Sequence, residues 1–130
     1  MMKTIIQTET APAAIGTYSQ AVRVDNTVYI SGQIPLDPKT MTLVSGDFHT
    51  QVKRTFDNLQ SIVIAAGGRL SQIVKLQIFL IDLDQFAIVN KVMAAYFESP
   101  YPARVTIQVS RLPKEAAIEI DAVLFLGRDD

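Results

Sequence analysis

Between Pro102 and Leu126 the chain carries two apolar, β-prone stretches on either side of a Pro113-Lys114-Glu115 turn. The first, about Ala103 to Arg111, alternates Val105, Ile107 and Val109 with polar residues. The second, about Ala116 to Leu126, reads Ile118-Glu119-Ile120-Asp121-Ala122-Val123-Leu124-Phe125-Leu126 and is apolar on both faces towards its end. A strand of that kind demands a sheet with both faces covered. Each stretch also holds one charge where a strand prefers a neutral side chain: Arg104 opens the first, and Glu119 sits inside Ile-Glu-Ile in the second. Burying such a charge is costly unless it is paired or bound to a ligand.

The rest of the chain supplies helices for one face only. Lys3 to Thr8 reads as a first strand, and Tyr18 to Val24 and Thr27 to Ile34 as a hairpin turning at Asp25-Asn26. Residues 36–46 form a loop dense in turn formers. Asp47 fits an N-cap, followed by Val52, Phe56, Leu59, Val63 and Ala66 at helical spacing up to Gly67-Gly68. Ile73 to Ile81 alternates as a strand. Asp84 caps a second helix with Phe86, Val89, Val92 or Met93, and Phe97 on its buried face, and Ser99-Pro100-Tyr101-Pro102 breaks it. The order is β-β-β-α-β-α-β-β, an α+β single-layer mixed sheet with two helices on one face. The uncovered apolar face predicts self-association.

Composition narrows the chemistry. The 130 residues suit one domain over 1–130, and 48% apolar content excludes disorder. Twelve basic and 13 acidic residues leave a net charge of −1 without a basic stripe, which argues against nucleic acid as a partner. No apolar run reaches the ~18–20 residues of a membrane span, and the first residues lack a secretory apolar core, so a cytoplasmic protein is expected. Cysteine is absent and histidine occurs once, at His49, beside the first helix start. Thiolate nucleophiles and Cys- or His-rich metal sites are therefore excluded. Catalysis has to come from Arg, Glu, Tyr, Ser, Thr and backbone groups.

For Arg104, a clamp on a small carboxylate and an ion pair with Glu119 or Asp121 are both open. Glu119 fits a general acid/base raised by burial, a carboxylate lowered by Arg, or a solvated edge residue. In a hairpin centred on Pro113-Lys114, Arg104 falls opposite about Val123 and Glu119 opposite about Gln108, roughly 13 Å apart along the strands. The two then meet only through a bulge, a shifted register or a site shared between subunits. Gly32 inside a strand marks a bulge or a close backbone approach.

Four blocks in order carry a family resemblance: Ala13-Ala14-Ile15-Gly16-Thr17-Tyr18-Ser19-Gln20-Ala21, Ile30-Ser31-Gly32-Gln33-Ile34-Pro35, Asp82-Leu83-Asp84-Gln85-Phe86-Ala87-Ile88-Val89-Asn90, and the stretch from Pro102-Ala103-Arg104 through Leu112-Pro113-Lys114 to Ile118-Glu119-Ile120. Across nearly the whole chain the sequence resembles the Rid (YjgF/RidA) family. That resemblance implies a chorismate-mutase-like fold and a homotrimer with a central sheet barrel and intersubunit pockets. It also implies hydrolytic deamination of 2-iminoacids such as 2-iminobutanoate and 2-iminopropanoate to 2-ketoacids, without cofactor or metal. The matching pocket positions are Tyr18, Ser31, Gly32, Asn90, Arg104, Thr106 and Glu119, with Glu119, Arg104 and Tyr18 in catalytic roles. Three departures stand out: Thr17 replaces the usual Pro before Tyr18, Thr106 stands where many bacterial members have Cys, and the 97–102 loop is shorter. Rival readings are a ketoacid-binding regulatory module and, against the charge balance, a translation inhibitor or endoribonuclease.

Overall fold

A computed structural model describes residues 2–127. Six strands, β1 (Lys3–Ile6), β2 (Ala21–Val24), β3 (Thr27–Gln33), β4 (Ile73–Leu80), β5 (Ala103–Gln108) and β6 (Ile118–Phe125), form one mixed sheet. Helices α1 (Phe48–Ala65) and α2 (Phe86–Met93) complete the expected element order. Asp47 caps α1, its carboxylate accepting from the Thr50 backbone N–H at 2.9 Å and the Thr50 hydroxyl at 2.8 Å. Val52, Phe56, Leu59, Ile62 and Val63 bury one stripe of α1 against Val28, Ile30, Leu76, Ile78, Ile118, Ile120 and Leu124 of the sheet. His49 is exposed at the start of the helix.

Sheet order differs from the hairpin expected at the C-terminus. The strands run β1-β2-β3-β6-β4-β5, so β4 lies between β5 and β6. β5 pairs parallel to β4, as a β4–α2–β5 crossover requires, while β6 pairs antiparallel to both β4 and β3. The 109–117 segment therefore passes over the end of β4 instead of turning tightly. Val109 donates to the Leu80 carbonyl and Ile81 to that of Ala117 on the way. The Pro113–Glu115 stretch is a 3₁₀ turn in which Lys114 has φ 56°.

Three smaller expectations also shift. The hairpin at Asp25-Asn26 is present, with Val24 opposite Thr27, but β2 starts at Ala21 and leaves Tyr18 in the preceding loop. The buried Gln20 amide ties that loop down, donating to the carbonyls of Thr8 at 3.0 Å and Pro12 at 2.8 Å. Asp84 does not cap α2; Asp82 caps a 3₁₀ turn over Leu83–Gln85, and α2 begins after it. Phe97 is buried as expected but lies beyond the end of the helix.

The second sheet face carries no helix. Strand register puts Tyr29, Val123, Phe125, Gln77, Asp121, Phe79, Glu119, Val105 and Ile107 on it. Tyr29, Val105, Ile107 and Phe125 remain 54, 40, 43 and 49% exposed there. These exposed apolar side chains share the face with Gln77, Glu119 and Asp121 and are available for association. Among the described residues no helix is long and apolar enough to cross a membrane.

Candidate active site

Six of the seven expected site residues separate into two clefts. Arg104 stands opposite Leu76, and Glu119 opposite Phe79, on the two flanks of β4. Leu76 and Phe79 are an odd number of residues apart, so Arg104 points to the helix-covered face and Glu119 to the open one. Within one protomer these charges do not meet. Among the described residues no carboxylate forms an ion pair with Arg104; the pairs present are Lys53–Asp57 and Arg111–Glu115.

The Arg104 cleft has a volume of about 500 Å³ and is lined by Asn90, Met93, Tyr101 and Pro102. Arg104 Nη1 donates to Asn90 Oδ1 at 2.6 Å and approaches Met93 Sδ at 3.6 Å, and the guanidinium lies 4.9 Å from the Phe86 ring centroid. Phe86, Asn90 and Met93 are one stripe of α2, at spacings of four and three. The helix thus holds the guanidinium over a ring and against an amide. Phe86 and Met93 were legible only as core residues of α2; their spacing to Asn90 was the available sign of a shared site. Thr106 lies two residues from Arg104 on the same face, and its buried hydroxyl has no hydrogen-bond partner in the protomer.

The Glu119 cleft, about 560 Å³, opens on the other side and brings together Tyr18, Ser31, Gly32 and Glu119. A bulge between Ile30 and Gln33 delivers Gly32 under the Glu119 carboxylate. A Cβ at position 32 would stand 1.8 Å from Glu119 Oε2 and 2.8 Å from its Cδ, so any other residue would push the Glu119 carboxylate out of its place. Ser31 Oγ donates to the Ser19 carbonyl at 2.6 Å, while the Ser31 N–H bonds the Gln20 carbonyl at 3.0 Å. Ser31 therefore holds the loop carrying Tyr18, which is itself 54% exposed and lines the cleft.

Burial, and after it the charge of Asp121, holds the Glu119 carboxyl above its usual value; burial does the same to Asp121. Turned with its amide nitrogen inward, Gln77 donates to both Asp121 oxygens at 3.1 and 3.2 Å. A carboxyl with a raised folded-state pKa binds its proton more tightly folded than unfolded. Its cost to stability is therefore present above the folded pKa and vanishes below the unfolded one. Asp121→Asn is accordingly expected to raise the melting temperature at neutral pH by less than relief of the buried charge alone would give, because one Gln77 donation is lost, with the gain over wild type shrinking as pH falls through the carboxylate range. Thermal melts of both proteins across that range check it.

Residues 8–125 match the family model described as Endoribonuclease L-PSP. The chain is 45% identical over 127 residues to the Homo sapiens protein named 2-iminobutanoate/2-iminopropanoate deaminase, covering 98% of this chain and 93% of that one. It is 46% identical over 125 residues to a RutC family protein of Pyrococcus abyssi, covering 96% and 98%. The crystal structure of RidA from an Antarctic Psychrobacter superposes with a TM-score of 0.91 at 51% identity, covering 94% of this chain and 98% of that one. The chain belongs to the Rid family.

Rid relatives thus carry names from more than one activity, and the mixed sheet with two helices is the fold they share with this chain. Of the positions the resemblance pointed to, Tyr18, Ser31, Gly32 and Glu119 line one cleft and Asn90 and Arg104 the other, with Thr106 two residues along β5 from Arg104. The 97–102 loop contributes Tyr101 and Pro102 to the Arg104 cleft. Among the described residues no group of His, Asp and Glu has the arrangement of a metal site.

Proposed function

We propose that this Rid protein is a 2-iminoacid deaminase, a hydrolase acting on 2-iminobutanoate, 2-iminopropanoate and similar species. We take the 1–130 chain as one Rid domain working in the cytoplasm as a homotrimer. In the trimer the open sheet faces pack into a central barrel. The Arg104 cleft of one protomer then faces the Glu119 cleft of the next. The observation that carries this reading is the division of the site: an unpaired Arg and a raised Glu on opposite faces of one sheet, each in its own cleft.

The chemistry follows from those groups. Arg104 binds the substrate carboxylate bidentately, with Asn90 holding the guanidinium and the Thr106 hydroxyl finding its missing partner on the ligand. Glu119 takes a proton from a water whose oxygen bonds to the imine carbon, giving a carbinolamine. It then returns the proton to nitrogen; the C–N bond breaks and ammonia leaves while Glu119 takes the carbinolamine hydroxyl proton, so that the 2-ketoacid carbonyl forms. Tyr18 covers the pocket and hydrogen-bonds the water or substrate. A protonated imine is already electrophilic, so positioning plus one acid/base group suffices.

The test is ketoacid formation from an imine generated in place by an amino-acid oxidase, with and without the protein. No acceleration, with ketoacid still bound, identifies a binding module instead. Sedimentation equilibrium is expected to give about three times 14.3 kDa. A monomer at micromolar concentration would remove the shared pocket.

A further inference from the structure

Four non-glycine residues have positive φ among the described residues: Asp25, Met41, Lys114 and Glu115. Asp25 sits in the β2–β3 hairpin turn, where such a conformation is expected. Met41, at φ 59°, and Lys114 instead both line the Glu119 cleft. A long side chain is rarely found in this left-handed region, because its Cβ crowds the backbone, and strained positions of this kind gather at functional sites.

The Met41 conformation is imposed by a braced turn. The Met41 N–H bonds the Asp37 carbonyl at 2.8 Å, the Asp37 N–H bonds the Thr42 carbonyl at 2.9 Å, and the Asp37 carboxylate accepts from the Lys39 N–H at 2.8 Å. The base of the turn is fixed by the Val44 N–H on the Pro35 carbonyl at 3.0 Å and by a bridge between Leu36 and Leu43. Beneath it the fully buried Asn58 of α1 donates to the carbonyls of Ile34 at 3.1 Å and Leu36 at 2.9 Å. The brace reaches from the core of the protein to Met41, a position whose backbone glycine would have suited better.

What the strain retains is a side chain in the cleft. Glu119, Gly32 and Ser31 make the polar end of that cleft, and Ala13, Ile15, Ile34, Leu36 and Met41 make an apolar wall. Methionine is unbranched and polarisable and fills such a wall adaptably. We infer that Met41 is a specificity-determining residue: its side chain closes the apolar wall against the substrate's C2 substituent and favours short, linear aliphatic chains over bulky or aromatic ones. The inference rests on the deaminase reading of the same cleft.

Met41→Gly is the decisive variant, since glycine accepts the local backbone conformation and the fold is retained. Imines are generated by an amino-acid oxidase from 2-aminobutanoate and from phenylalanine, and kcat/KM is measured for both. The ratio of the phenylalanine-derived to the 2-aminobutanoate-derived value is expected to rise about tenfold or more, the size of effect that one or two methylenes exert in an apolar pocket. A merely structural Met41 would move both values together. A ratio within about twofold of wild type overturns the inference. If wild type hydrolyses neither imine, the deaminase reading fails by itself, and the Met41 inference passes to calorimetric affinities for 2-oxobutanoate and phenylpyruvate. The same tenfold shift in their ratio supports it, and an unchanged ratio overturns it.

Discussion

Glu119→Gln is expected to slow ketoacid formation by roughly 10²–10⁴-fold, the usual size of a general-base contribution, while ketoacid affinity largely survives. Glutamine keeps the reach and hydrogen bonding of the side chain but takes no proton from water. Burial already lifts the Glu119 carboxyl from its ordinary range towards the working pH, where a proton acceptor is most effective. The substitution also removes a buried charge, so melting temperature at neutral pH is not expected to fall. Rate, ketoacid affinity and melting temperature measured on one preparation separate catalysis from structure. A lower melting temperature with unchanged turnover per folded chain would move the acid/base role elsewhere, to Tyr18 or the substrate's own nitrogen.

Arg104→Ala is expected to lower kcat/KM by about 10- to 150-fold or more, corresponding to the roughly 1.5–3 kcal/mol of a charge-assisted hydrogen bond. Arg104→Lys should restore only part of it. The guanidinium carbon lies over the Phe86 ring, 4.9 Å from its centroid, and Nη1 donates to Asn90 Oδ1 at 2.6 Å. An ammonium keeps the charge but loses the planar fork that engages both oxygens of a carboxylate. Steady-state kinetics on variants confirmed as folded and oligomeric by sedimentation are the check. Wild-type turnover in folded Arg104→Ala would end the clamp role.

Elements with a strong period were legible in the chain itself. The α1 stripe of Val52, Phe56, Leu59 and Val63 and its Asp47 cap stand where 3–4 spacing put them, because a helix buries one stripe whatever it packs on. The Asp25-Asn26 turn and the Gly32 bulge were equally local. Strand ends were less so: Tyr18 and Phe97 look like members of regular elements but lie outside them, held by Gln20 and by tertiary packing. The Asp82 cap was chosen over Asp84 because the chain makes a 3₁₀ turn before α2, a choice between two acids two residues apart.

By itself the sequence determined the element order, the apolar periodicities and the absence of thiol chemistry, and it marked Arg104 and Glu119 as charges out of place in apolar strands. Partnership of strands was decided only in three dimensions. Strand pairing is non-local: β5 and β6 are adjacent in sequence, yet β4, more than twenty residues upstream of β5, separates them. That single insertion sends Arg104 and Glu119 to opposite faces, since side chains alternate along every strand and the two residues register three apart on β4. The chain names the two charges; the sheet order sets them in separate clefts, because a pleated strand offers each side chain only one of two faces.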